Sequence, residues 1–198
     1  MFRSSLKSLL IAPLITIAVF CVPDTQGHGF LVKPKASFNG YGGGYSAIVQ
    51  STTLTPPEGK KFIWYQDQIA GIFEKALKPT KQSLRDFILK NQDTSVQAEG
   101  APKPLSAACG FSNPNGAPQP LPDKLQWEMN FEHPGPCEVY CDDELVVPYT
   151  TDCWATFSDS ILPYDKARCI GKKQLTLYFL AVHYPPWQVY TDMLTASH

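Results

Sequence analysis

Leu175-Thr176-Leu177-Tyr178-Phe179-Leu180-Ala181-Val182-His183 is the stretch whose reading decides the fold. It is rich in aliphatic and aromatic residues, too short to span a bilayer, and flanked by Gly171 and Pro185, so it reads as a buried β-strand. Working outward, Cys137–Cys141, Leu125–Phe131 and Cys153–Phe157 are alternating or apolar runs bounded by Pro, Gly and Asp, and they read as further strands. Near the start, His28-Gly29-Phe30-Leu31-Val32 forms a short apolar strand ending before Pro34. Only Gln66–Lys90 keeps helical spacing: Ile69, Ile72, Phe73 and Leu77 recur on one face, Pro79 interrupts, and Leu84, Phe87 and Ile88 resume after Thr80 as a cap. Residues 94–124 are polar and proline-rich and are expected to be a long ordered loop pinned through Cys109. No internal repeat is visible. Late strands with an early helical interruption predict a mostly β fold, an immunoglobulin-like antiparallel β-sandwich with long loops and a short helical insertion.

The first 27 residues read as a secretory signal. Arg3 and Lys7 precede an apolar run from Leu9 to Val22, and Thr25-Gln26-Gly27 places small residues where a signal peptidase cuts. The run is too short and wrongly flanked for a membrane span. The expected mature chain is one secreted, monomeric domain, 28–198. A net charge of -1 gives no global electrostatic case for nucleic acid or an anionic membrane surface. Of six cysteines, Cys21 lies in the signal, leaving Cys109, Cys137, Cys141, Cys153 and Cys169. In an oxidising compartment these read as disulfides, but five is odd. One thiol is free, or it pairs between chains, or its partner is missing near the chain's end.

Cleavage after Gly27 makes His28 the mature N-terminus, where one residue offers both an amine and an imidazole to a metal. The other histidines are His133, His183 and His198. His133 lies in a turn, His133-Pro134-Gly135-Pro136, that enters a strand; Pro and Gly fix the backbone and so aim a side chain. His183 closes a strand, and Gln188-Val189-Tyr190 follows five residues on. A lone histidine is more often a core or surface residue than a ligand, and Tyr190 taken alone reads as a packed strand tyrosine. His133 and His183 together with an N-terminal His28 weigh more than any one of them.

A post-signal His-Gly, a His-x-Gly-Pro turn into a strand ending in Tyr, and a strand ending in His followed by Gln-x-Tyr together resemble lytic polysaccharide monooxygenases. Cys109-Gly110, Pro118-Gln119-Pro120-Leu121-Pro122 and His133 through Asp142 are most similar to the pectin-active family of plant-pathogenic oomycetes. The resemblance implies one mononuclear copper ion in a histidine brace, with three nitrogens from His28 and His133. It implies Tyr190 at the distant axial position, and His183 and Gln188 beside the metal to position and protonate an oxygen species. Imidazole and amine nitrogens suit copper, and an α-amine of pKa about 7.7–8.0 yields its proton to copper at neutral pH. Further partners implied are an external electron donor, hydrogen peroxide or dioxygen, and a plant cell-wall polysaccharide attacked during infection. Related enzymes often carry a cysteine after the Gln-x-Tyr segment. Here Thr191-Asp192-Met193-Leu194 follows, which suggests an altered or shortened C-terminus with His198 as a disordered end.

Other chemistries find less support. Cys137-x3-Cys141 in a secreted chain favours disulfides over zinc. Asp142-Asp143-Glu144 lacks EF-hand spacing, Gly42-Gly43-Gly44 is no phosphate loop, and neither a Gly-x-Ser-x-Gly element nor a paired-carboxylate glycosidase signature is present. Homogalacturonan is a polyanion, so Lys33, Lys35, Lys60 and Lys61 are candidate substrate contacts, with Tyr41 and Tyr45 as stacking surface. Two function classes follow: a copper monooxygenase cleaving pectin oxidatively, or a secreted copper-binding or host-interacting disulfide-rich protein without polysaccharide turnover.

Overall fold

A computed structural model describes residues 29–63 and 68–197. His28, His198, the signal segment and residues 64–67 lie outside the described residues. The described strands are β1 (Leu31–Lys33), β2 (Ala47–Val49), β3 (Gln92–Asp93), β4 (Gln119–Pro120), β5 (Leu125–Trp127), β6 (Cys137–Cys141), β7 (Glu144–Thr150), β8 (Ile161–Leu162), β9 (Gln174–Ala181) and β10 (Trp187–Ser197). They form two sheets, a small one ordered β1-β5-β8 and a large one ordered β3-β2-β10-β9-β6-β7, with β4 parallel to the end of β10. All other pairings are antiparallel. The mostly β antiparallel sandwich expected from the sequence is what forms.

Period-two alternation divides the large sheet's side chains between two cores. Leu175, Leu177, Phe179 and Ala181 of β9, with Tyr190 and Leu194 of β10, face the small sheet and pack with Leu31, Trp127 and Phe131. Tyr178 and Leu180, with Trp187 and Val189, face the other way onto α1 (Ile69–Leu77) and α2 (Leu84–Asn91). The helical insertion thus makes a third layer with a core of its own. Phe73 and Phe62 set their rings edge-on to Trp187 at 5.0 and 4.9 Å. On β6, Glu138 is buried on this helical side. Its Oε2 accepts from Arg85 N–H in the first turn of α2 (3.1 Å) and from the Tyr140 hydroxyl (2.8 Å), fixing the helix to the sheet where a carboxylate suits the helix dipole.

Several local expectations change. The α2 cap is Ser83, whose Oγ accepts from Asp86 N–H at 3.0 Å, whereas the Thr80 hydroxyl donates to Leu77 C=O. Cys153–Phe157 is not a strand: Cys153–Thr156 is the short helix α3, capped by the Asp152 side chain. The Leu125 strand stops at Trp127. Disulfides Cys137–Cys153 and Cys141–Cys169 hold both ends of β6, and the leftover thiol is Cys109, buried beside the Ser106 hydroxyl. The long loop is therefore not pinned by a disulfide. Buried Ser112 ties it instead, accepting from Met193 N–H at 2.7 Å and donating to Cys109 C=O. No described helix is long and apolar enough to cross a membrane.

One buried carboxyl joins the two sheets. Asp192 Oδ2 accepts from Leu31 N–H at 2.6 Å, and burial, reinforced by Glu128, pushes its pKa up to about 7. In the unfolded chain the group gives up its proton near pH ~4, whereas the fold holds it to about 7. The folded state binds more protons across that window, so the stability this group contributes is full below pH ~4 and is lost as pH rises to about 7. Melting temperatures measured from pH 4 to 8 should show Asp192→Asn, which keeps an acceptor for Leu31, losing several degrees less than wild type over that rise.

Candidate functional site

The register of β6 on β9 pairs Cys137 with Phe179 and Glu138 with Tyr178. It continues backwards through the turn, since Leu180 N–H donates to Pro136 C=O and Val182 N–H to Pro134 C=O, both at 3.0 Å. The next step sets His133 opposite His183. Their rings stack, centroids 3.8 Å apart and planes 18° from parallel. Both are half-buried at the end of the large sheet, on its sandwich face.

The turn is held from a second side as well. Cys153 N–H donates to Gly135 C=O at 2.9 Å, Gly135 N–H donates to Asp152 Oδ1 at 3.3 Å, and the Cys137–Cys153 disulfide locks α3 there. Burial raises the Asp152 pKa against the pull of the Ala155, Gly135 and Trp154 amide donors. Gly135 passes so close to β9 that any Cβ would run into the Leu180 carbonyl oxygen. Only glycine fits this crossing.

Gln188 and Tyr190 occupy the adjoining rows of the same face, opposite Ala181 and Phe179. The Tyr190 hydroxyl donates to Gln188 Oε1 at 2.9 Å. Burial, with Tyr45, Glu132 and Tyr41 nearby, raises the Tyr190 pKa well above its ordinary value. The phenol therefore stays protonated and would offer a metal a weak neutral oxygen. Its donation leaves the Gln188 amide N–H groups as donors.

The N-terminal side arrives at the same end. Glu128 N–H donates to Phe30 C=O at 2.8 Å, and from Glu128 the chain reaches His133 in five residues. Gly29 has φ +67° and lies against the Trp127 indole so closely that a side chain there would strike Nε1. Trp127 in turn stacks on Phe131 at 4.8 Å. His28 itself is outside the described residues, but the residue it joins stands at the histidine end.

Not every expected substrate contact gathers there. Tyr45 packs edge-on to Tyr190 at 6.5 Å and Tyr41 edge-on to Phe111 at 5.0 Å, so both are half-buried supports rather than open platforms. Lys35 is tied through Gln119 to the Ala196 end of β10, eight residues from Gln188, or roughly 26 Å of strand. It shares a cleft there with Tyr41 and Phe38, and Lys33 precedes it. Lys60 and Lys61 line a different cleft at the start of α1. Because Phe62 packs on Trp187, these two lysines do lie at the histidine end, on the helical side of the sheet. Glu132 and the exposed Tyr184 are neighbours of the site that the sequence reading passed over, since nothing in a single chain reveals exposure or cross-strand proximity.

Imidazole nitrogens hold metals in the plane of the ring. Stacked rings place those planes side by side, so one ion is served by one of the pair while the other stands next to it. That fits His133 as a copper ligand with His183 as neighbour. Among the described residues no three of His, Cys, Asp and Glu converge on one point, so a copper centre here depends on His28. No protein-family model and no curated protein matches the chain.

Gly135→Ala should push the turn away from β9 and separate the two imidazoles. A loss of more than ~3 kcal/mol is expected in denaturant unfolding, far above the effect of an ordinary surface substitution.

Proposed function

We propose that the chain is a secreted copper-dependent polysaccharide monooxygenase that cleaves pectin, acting on its homogalacturonan backbone. The observation that carries the reading is the His133–His183 cross-strand pair; Gly29, second residue of the expected mature chain, packs on Trp127, which stacks on Phe131 two residues before His133. His28 and His133 would hold the ion, and Tyr190 would offer it a neutral oxygen. Bound copper would supply one-electron redox chemistry: an external electron donor reduces the ion, and hydrogen peroxide or dioxygen is the oxidant that converts a sugar C–H to C–OH with release of water.

The chain's own residues supply orientation and proton handling. The doubly anchored turn fixes the direction of His133, so little reorganisation accompanies metal loading. His183, stacked on it, is placed to hold or release a proton beside the ion. Gln188, oriented by the Tyr190 hydroxyl, directs its amide donors to the same space. Lys60 and Lys61 favour an anionic chain at this end, an attraction that weakens with salt.

Intact-mass and electron paramagnetic resonance measurements on secreted protein should find His28 first in the chain and one copper ion bound. His133→Ala, or one extra residue before His28, should abolish that binding, and full copper retention by either would defeat the brace.

His183→Ala and Gln188→Ala should keep copper while losing about 100-fold or more in oxidative cleavage. Copper-loaded protein and a reductant are incubated with homogalacturonan, cellulose, chitin and xylan, and products are read by mass spectrometry. Oxidised oligosaccharides from cellulose or chitin alone would replace pectin as substrate. None from any glycan would favour a copper-binding or host-interacting protein without turnover.

A further inference from the structure

Leaving an aromatic ring in water forgoes a large burial energy, and the described chain does so once. Tyr184 is 61 % exposed, and no other aromatic side chain among the described residues is comparably open. Its place is telling. It follows His183 directly and begins Tyr184-Pro185-Pro186, the tip of the β9–β10 hairpin. Two consecutive prolines restrict that backbone, so the ring is presented on a stiff support with few orientations to lose on binding. The hairpin's base is Trp187, on which Phe62 packs, and this carries Lys60 and Lys61 to the foot of the same hairpin.

Resting on the copper monooxygenase reading, we propose that Tyr184 is the stacking platform for a pyranose ring of the polysaccharide, holding the chain against the His133–His183 pair. A flat phenol ring suits the C–H face of a sugar. A galacto-configured ring, with its axial hydroxyl on one side, presents several C–H bonds together on the other. Galacturonate offers that face and a carboxylate besides, so one ring at the hairpin tip and two ammonium groups at its foot match the two halves of this sugar's chemistry. Tyr184 is thus a specificity-determining contact, whereas the half-buried Tyr45 braces Tyr190 from within and Tyr41 packs on Phe111.

The test measures binding of homogalacturonan oligosaccharides to copper-loaded mature protein by calorimetry, with no reductant, alongside cellulose, chitin and xylan oligosaccharides. Tyr184→Ala should weaken homogalacturonan binding about tenfold, while Tyr184→Phe and Tyr184→Trp stay within about twofold of wild type. The copper content and paramagnetic spectrum of all three should be unchanged. Wild-type affinity in Tyr184→Ala, or equal loss in Tyr184→Phe, overturns the stacking role and leaves the copper reading standing. Binding of none of the four glycans by wild type also overturns it. Failure of the wild-type protein to load copper at all instead removes the reading on which it rests.

Discussion

Every residue of β9 after Gln174 is buried, because one face looks into the sandwich and the other into the helical layer, while both edges are paired to β6 and β10. A strand enclosed on four sides has no freedom of register: a slip of one residue would drive Phe179 and Ala181 into the helices and Tyr178 and Leu180 into the sandwich. The register of β9 then dictates what stands at its end. His183 meets His133, Ala181 meets Gln188 across the other edge, and Phe179 supports Tyr190 at 5.4 Å. The candidate centre is in this sense a by-product of packing, extended past the last ladder hydrogen bond.

Much of this was legible in the chain. Cys137–Cys141 and Leu175–Val182 alternate or stay apolar as strands buried on both faces must, and Ile69, Ile72, Phe73 and Leu77 repeat as a helix must. Short elements were harder. Cys153–Phe157 is as apolar as a strand, yet an Asp at position 152 caps one helical turn there, and four residues give no period to read. Thr80 has the chemistry of a cap, but Ser83 stands three residues before the Asp86 N–H that its hydroxyl accepts from, and it wins.

The site was legible in composition and not in arrangement. Histidine, glutamine and tyrosine types could be singled out, but the contact of His133 with His183 spans fifty residues and exists only through register. Proximity in sequence also misled. Lys35 lies seven residues after His28, yet the tight bridge between Val32 and Lys35 and the Gln119 clasp turn it toward the opposite end of β10. Lys60 and Lys61, remote in sequence, come closer because Phe62 needs Trp187.

The buried Cys109 has a consequence for how the chain is made. Among five thiols in the described residues, each choice of the one left over allows three pairings of the other four, and only one combination matches the fold. Cysteines at both ends of β6 are close in sequence and easily trapped together. A thiol that is 2 % exposed is removed from exchange once its loop closes through Ser112. Folding before oxidation therefore leaves four accessible partners rather than five, so the yield of correctly bridged protein should depend on how quickly that loop settles.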